Sequence, residues 1–155
     1  MEKVVENVEY NTKIIKVTLH NVVDRYGVAA EIFGALGQHG LSVELISTHS
    51  VGRNRADISF AVIESDLGDV MKLLETIKDK FGCKKITCDK ELALITLYGS
   101  KLSTAPGIAG KVFAGLAERA INIEMISSSL SVLSIVVKKD KVMEAVEAIK
   151  AAFAI

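Results

Sequence analysis

Apolar positions along the chain alternate between two periods, and each change of period marks a new element. Ile15, Val17 and Leu19 recur every second residue within Ile14–Leu19, the pattern of a strand with one buried face. After the polar stretch HNVVDRY, residues Val28, Ile32, Phe33 and Leu36 recur at helical spacing. That helix is expected to end near Gly40, a residue suited to a left-handed cap. Alternation returns in Leu41–Ser47, with Leu41, Val43 and Leu45 on one face and Ser42, Glu44 and Ile46 on the other. A turn at Gly52–Arg55 precedes a third strand, Ala56–Ile63. Ser65 or Asp66 is placed to cap a second helix carrying Leu67, Val70, Leu74, Ile77 and Phe81, closed by Gly82. Lys84–Thr87 is short but β-compatible. The order β-α-β-β-α-β predicts an α+β unit of the split βαβ, or ferredoxin-like, kind.

The unit is used twice. Gly27–Ser47 recurs as Gly107–Ser127 at a constant offset of 80 positions, with identities at Gly27, Ala29, Phe33, Leu36, Glu44, Ile46 and Ser47. The second copy is expected to run through strand Leu92–Leu97, helix Ile108–Arg119, strands Ile121–Ser127 and Val132–Val137, and helix Lys141–Phe153. The sequence then ends at Ile155 without a fourth strand, while Val4–Val8 is a β-compatible segment left over at the start. A three-stranded sheet would expose an unpaired edge, so the leading segment is expected to complete the second unit. This places the first unit at 12–89 and the second at 1–11 plus 90–155, the first inserted into the second. A frayed N-terminus beside an open edge is the alternative.

Composition narrows the function classes. Nineteen Lys and Arg balance nineteen Asp and Glu, which leaves no electrostatic footprint for nucleic acid or an anionic membrane. No apolar run reaches membrane-spanning length, and MEKVVENVEY lacks a signal-peptide core, so a cytoplasmic protein is expected. Cys83 and Cys88 are five apart on the expected strand and so face opposite ways; buried or half-buried free thiols are anticipated. His20, His39 and His49 are dispersed, and neither a metal nor a cofactor is assigned. Residues Ala105–Val112 fail as a P-loop, because Ala105 replaces the first glycine and Val112 the Ser/Thr. The serines at 127–129, 131 and 134 have no histidine within their copy, so no catalytic residues are assigned.

The informative segment is Asn21–Val28. Gly27 permits a left-handed turn, the helix behind it offers unpaired amides to a carboxylate, and Asp24 is placed to meet an ammonium group. An α-amino acid carries both charges on one carbon. On these residues alone, a plain turn with a solvated aspartate is the simpler account. Glu44 and its counterpart Glu124 fall on the sheet face away from the helices, where a glutamate is either solvated or part of a contact surface.

Three segments carry a family resemblance: LHNVVDRYGVAAEIFGALGQHGLSVELIS, LSTAPGIAGKVFAGLAERAINIEMISSS and the leading VENVEYNTKIIKVTL. Over essentially its whole length the chain resembles the paired ACT domains of aspartate kinase. Tyr26 stands where many ACT loops have proline, which Pro106 retains in the second copy. The kinase catalytic domain is absent, so the chain is similar to a separate regulatory β subunit or an excised regulatory region. The resemblance implies an allosteric module that binds lysine or threonine and inhibits aspartate phosphorylation, working as a homodimer with a catalytic aspartate kinase subunit as a possible partner. It implies effector-binding roles for Asp24, Arg25, Gly27, Val28 and Ala29, faced by Ser42, Val43, Glu44 and Thr48 of the partner chain. Copy two has Lys101 and Ser103 in a loop two residues longer, with no acid, so copy one is expected to be the binding copy. A free-standing amino-acid sensor for another enzyme and a ligand-free dimerisation module are the other functions compatible with these residues.

Overall fold

A computed structural model of the chain describes residues 3–155. Its strands form two four-stranded antiparallel sheets. One unit is Ile14–Lys90; the other joins the residues up to Lys13 to Glu91–Ile155.

The Ile14–Lys90 unit begins with strand β2 (Ile14–Val23) and helix α1 (Val28–Gln38). Strands β3 (Glu44–Gly52) and β4 (Arg55–Ile63) follow, then helix α2 (Leu67–Ile77) and strand β5 (Lys85–Asp89). The sheet order is β3-β4-β2-β5. Ile15, Val17 and Leu19 pack with Ile58, Phe60 and Val62 under Val28, Ile32 and Leu36 of α1 and Val70 and Leu74 of α2. At its centre Phe60 meets Phe33 edge-on, ring centroids 5.4 Å apart.

The other unit contains β1 (Asn7–Asn11), β6 (Leu92–Tyr98), α3 (Ile108–Glu118), β7 (Met125–Ser128), β8 (Val132–Lys138) and α4 (Val142–Phe153). Its order, β1-β6-β8-β7, gives β1 the place that β5 holds in the first sheet. The N-terminal strand therefore completes this sheet, pairing Asn7–Asn11 with Tyr98–Leu94, and its Val8 enters the core together with Val5 just before it. Glu6 fastens the approach: its carboxylate accepts the Ser100 hydroxyl at 2.7 Å and the Ser100 amide at 3.2 Å. These donors hold the Glu6 pKa below the ordinary carboxylate value. The clasp therefore operates above the unfolded-state pKa and is lost as pH falls through the lower folded one.

Several sequence expectations are corrected. The strand expected over Leu41–Ser47 starts only at Glu44, because the Leu41 amide caps the Leu36 carbonyl and Leu41 stays in the core beneath α1. Likewise Ile121–Ser127 becomes Met125–Ser128, and the N-terminal strand is Asn7–Asn11 rather than Val4–Val8. Neither Ser65 nor Asp66 caps α2 by its side chain; a 3-10 turn, Glu64–Asp66, leads into the helix instead. Cys83 lies before β5 rather than on it, so the odd-spacing argument does not apply. It is buried, it donates to the Lys85 carbonyl, and burial pushes its thiol pKa up; Cys88 is exposed.

Candidate functional site

The expected loop shrinks because β2 continues past His20 to Val23. Asn21 takes a left-handed φ of 59° and interrupts the β2–β4 register between Leu19 and Val22. Its amide donates to Asp57 Oδ1 at 2.8 Å, and its carbonyl accepts Arg55 Nη1 at 3.2 Å. What remains is a tight connection, Asp24–Gly27. The Asp24 amide donates to the Asn54 carbonyl at 2.8 Å, tying the connection to the β3–β4 turn. The Asp24 side chain is exposed and has no ion-pair or hydrogen-bond partner among the described residues.

Gly27 starts α1 at φ 86°, and its counterpart Gly107 starts α3 at φ 80°. A Cβ at either position would touch nothing within 4 Å, so the demand for glycine is purely conformational. Gly27→Ala and Gly107→Ala are each expected to cost about 1–2 kcal/mol, read as a lower urea midpoint at unchanged slope. Behind Gly27, the Val28 amide reaches the Arg25 carbonyl at 3.3 Å, while the Ala29 and Ala30 amides have no backbone acceptor among the described residues. A carboxylate fits that end. Arg25 is held beside it by Glu31 (3.1 Å) and by the Tyr26 carbonyl (3.4 Å), and the Tyr26 ring is fully exposed. Val28 is itself a core residue, so only its backbone is available to a ligand.

The second group, Ser42, Val43, Glu44 and Thr48, lies elsewhere. Glu44 pairs in register with Ala61, and Ala61 with Lys16, near the start of β2. Gly52 pairs with Arg55, and Arg55 with Val23, beside Asp24. Seven residues of strand, about 20 Å, separate the two ends, farther than one amino acid spans. One protomer therefore does not bring the two groups together. Val43 packs partly against the core, whereas Ser42 is exposed.

Thr48 is also displaced from Glu44. Between Glu44 and Ser47 strand β3 carries one extra residue relative to β4, with Leu45 at φ 55°. That bulge puts Ser47 opposite Ser59, on the face of Glu44, and turns Thr48 opposite Ile58 to the helix-side face. Ser47, not Thr48, shares the open face with Glu44. Sequence reasoning missed Ser47, Asn54 and Glu31 as parts of this region; only the identity of Ser47 with Ser127 marked any of them.

The two copies differ in charge pairing. Glu124 accepts from Asn122 at 3.4 Å and lies 3.9 Å from Lys138 Nζ. Glu44 has no such partner among the described residues, and the residue of β4 matching Lys138 is Ile63.

Among the described residues no set of three metal-binding side chains converges, and no helix is long and apolar enough to cross a membrane. ACT-domain sequence profiles match residues 17–79 and 95–153, one in each unit. The chain belongs to the ACT-domain family. The tandem ACT units are similar to the regulatory subunit of aspartate kinase from Thermus thermophilus in its ligand-free form. That similarity is 26% identity with a TM-score of 0.91, over 97% of this chain and 99% of that one. They are also similar to Bacillus subtilis aspartokinase 2, at 29% identity over 150 residues, 97% of this chain and 36% of that protein. Escherichia coli aspartokinase III, solved in complex with lysine and aspartate in its T-state, matches with a TM-score of 0.75 and 25% identity, over 97% of this chain and 33% of that one. The chain spans little more than a third of the first curated relatives it matches. What it shares with them is the tandem ACT architecture of aspartokinase regulatory subunits.

Proposed function

We propose that this tandem ACT protein is an allosteric regulatory module of an aspartate kinase that binds lysine or threonine. The effector would sit between the Asp24–Ala29 connection of one protomer and the Ser42–Glu44 segment of its partner. The observation that carries this reading is the left-handed start of α1. Gly27 presents the Ala29 and Ala30 amides, and the unpaired Asp24 carboxylate stands beside them. The amides suit an α-carboxylate and Asp24 an α-ammonium group.

The dimer is supported by the edge of the sheet. Strand β3 is nine residues long, exposed over nearly all of its length, and carries Ile46 and Val51 at the surface. Two copies paired antiparallel through β3 would set the start of one strand beside the end of the other. The Ser42–Glu44 segment of one protomer would then lie near Asp24 and Gly27 of its partner, in an isologous interface. Glu44, unpaired where Glu124 is neutralised, is the group suited to the ε-ammonium of lysine. A catalytic kinase subunit is the partner this module would regulate, with a coupling of about 1–3 kcal/mol.

The test is a melting-temperature panel with the twenty amino acids on the purified chain, with sedimentation to read its oligomeric state. Lysine or threonine at about 100-fold excess over its dissociation constant is expected to stabilise by about 2.7 kcal/mol. Glu44→Gln is expected to reduce lysine affinity about tenfold or more while leaving threonine binding nearly unchanged. A chain that stays monomeric with ligand, or shows no shift with any amino acid, overturns the reading.

A further inference from the structure

The two units give one corner two different chemistries. His39 and Arg119 are equivalent, 80 positions apart, and each caps the C-terminus of the first helix of its unit. Helices α2 and α4 are equivalent with Leu67 matched to Val142. Each follows a single 3-10 turn, and buried Val70 and Leu74 correspond to buried Ala145 and Ile149. In the unit containing the N-terminal strand, Arg119 Nη1 lies 3.6 Å from Glu147 Oε2 and donates to the Glu144 carbonyl at 3.4 Å. A carboxylate closes that corner.

In the Ile14–Lys90 unit the place of Glu147 is taken by Lys72 and that of Arg119 by His39. Two bases now share the corner, and neither has an ion-pair partner among the described residues. A cavity of about 410 Å³ lies there, lined by His39, Leu41, Asp69, Lys72, Leu73 and Thr76. Its volume is within the range of small-ligand sites. The Thr76 hydroxyl is engaged, donating to the Leu73 carbonyl at 2.6 Å, and His39 Nδ1 donates to the Ala35 carbonyl at 2.9 Å. The groups left for a ligand are the Lys72 ammonium, His39 Nε2 when protonated, the apolar walls of Leu41 and Leu73, and Asp69.

We propose that this corner binds a small aliphatic monocarboxylate, whose carboxylate takes the place that Glu147 fills in the other unit. Lys72 supplies the charge-assisted donor, and Leu41 and Leu73 receive the hydrocarbon. Asp69 sets the limit of one negative charge, since a second carboxylate would meet it directly. The cavity lies at the C-terminal end of α1, away from Gly27, and on the helix side of the sheet where Leu41 is buried, whereas Glu44 stands on the open face. The inference therefore stands apart from the effector reading above, although Leu41 adjoins Ser42 in sequence.

The test is an amide-resolved NMR titration of the full chain with 4-methylpentanoate, and with 4-methylpentan-1-ol as the uncharged control. The acid is expected to shift amides around residues 39–41 and 69–76, saturating with a dissociation constant of about 1–10 mM. The alcohol should produce less than about a tenth of that response at equal concentration. Lys72→Glu supplies the missing carboxylate within the chain and is expected to weaken binding at least about tenfold. The double variant His39→Arg/Lys72→Glu, built from the pair that already folds in the other unit, should do the same. No shift up to about 50 mM acid, an equal response to the alcohol, or undiminished affinity in Lys72→Glu overturns the proposal. So does any loss of this binding in Glu44→Gln, which alters only the effector region.

Discussion

Removal of residues 1–11 is expected to unfold the unit built on Glu91–Ile155 while leaving the Ile14–Lys90 unit folded. The deleted segment contains all of β1, the edge strand of the β1-β6-β8-β7 sheet. It carries the β1–β6 ladder and two buried valines, Val5 at 1% and Val8 at 9% exposure. Burial of each valine contributes about 1.5–3 kcal/mol. The ladder bonds add further, and deletion would also bare one edge of β6 along Leu92–Tyr98, a strand whose Ile95 and Leu97 are fully buried. Together these losses rival the whole stability of a domain this small, about 5–15 kcal/mol. Amide exchange reads the outcome directly. Protection should vanish in β6 and β8 and persist in β2 and β4, and a synthetic peptide of residues 3–13 should restore it by strand addition. Undiminished protection of β6 and β8 in the truncated chain would show that β1 is dispensable.

Phe60→Ala is the largest single-residue effect expected in the other unit, about 3–5 kcal/mol. Phe60 is fully buried, meets Phe33 edge-on at 5.4 Å, and lies on β4, an inner strand that pairs with both β2 and β3. Phe33 and the buried Ile58 and Val62 neighbourhood cannot close the space without moving α1 off the sheet. Urea unfolding should show an earlier transition for Ile14–Lys90 alone, and Phe60→Leu should recover more than half of the loss because it keeps most of the volume. A loss of unfolding free energy below about 1 kcal/mol would mean that the core collapses around the cavity.

Much of this fold was legible in the chain. The alternation Ile15, Val17, Leu19 and the helical run Val28, Ile32, Leu36 named the buried faces, and the 80-residue repeat carried them into the second copy. The orphaned segment at the start pointed to the strand exchange, since an unpaired sheet edge is costly. Element boundaries were less accessible. Leu41 reads as the first residue of a strand by periodicity, yet it serves the helix before it, because a buried leucine and a capping amide can satisfy α1 at the same position.

The candidate site divides along the same line. Gly27 and Asp24 stood out in the sequence because a left-handed helix start and an acid beside it are local properties of the chain. The family resemblance grouped Thr48 with Glu44, and in a regular strand residues four apart would share a face. The bulge at Leu45 breaks that rule, and nothing in ELIS distinguishes a strand with an extra residue from one without. The approximately 20 Å between Glu44 and Asp24 follows from the β3–β4–β2 register, a relation between residues far apart in sequence. Sequence by itself thus determined what repeats every two residues, every helical turn or every 80 positions, because these patterns record which face each element must bury. Only the tertiary structure decided which residues share a face or an end of the sheet, and that Lys72 and His39 line one cavity where Glu147 pairs with Arg119 in the other unit, because register and helix packing are set by contacts between segments rather than within them.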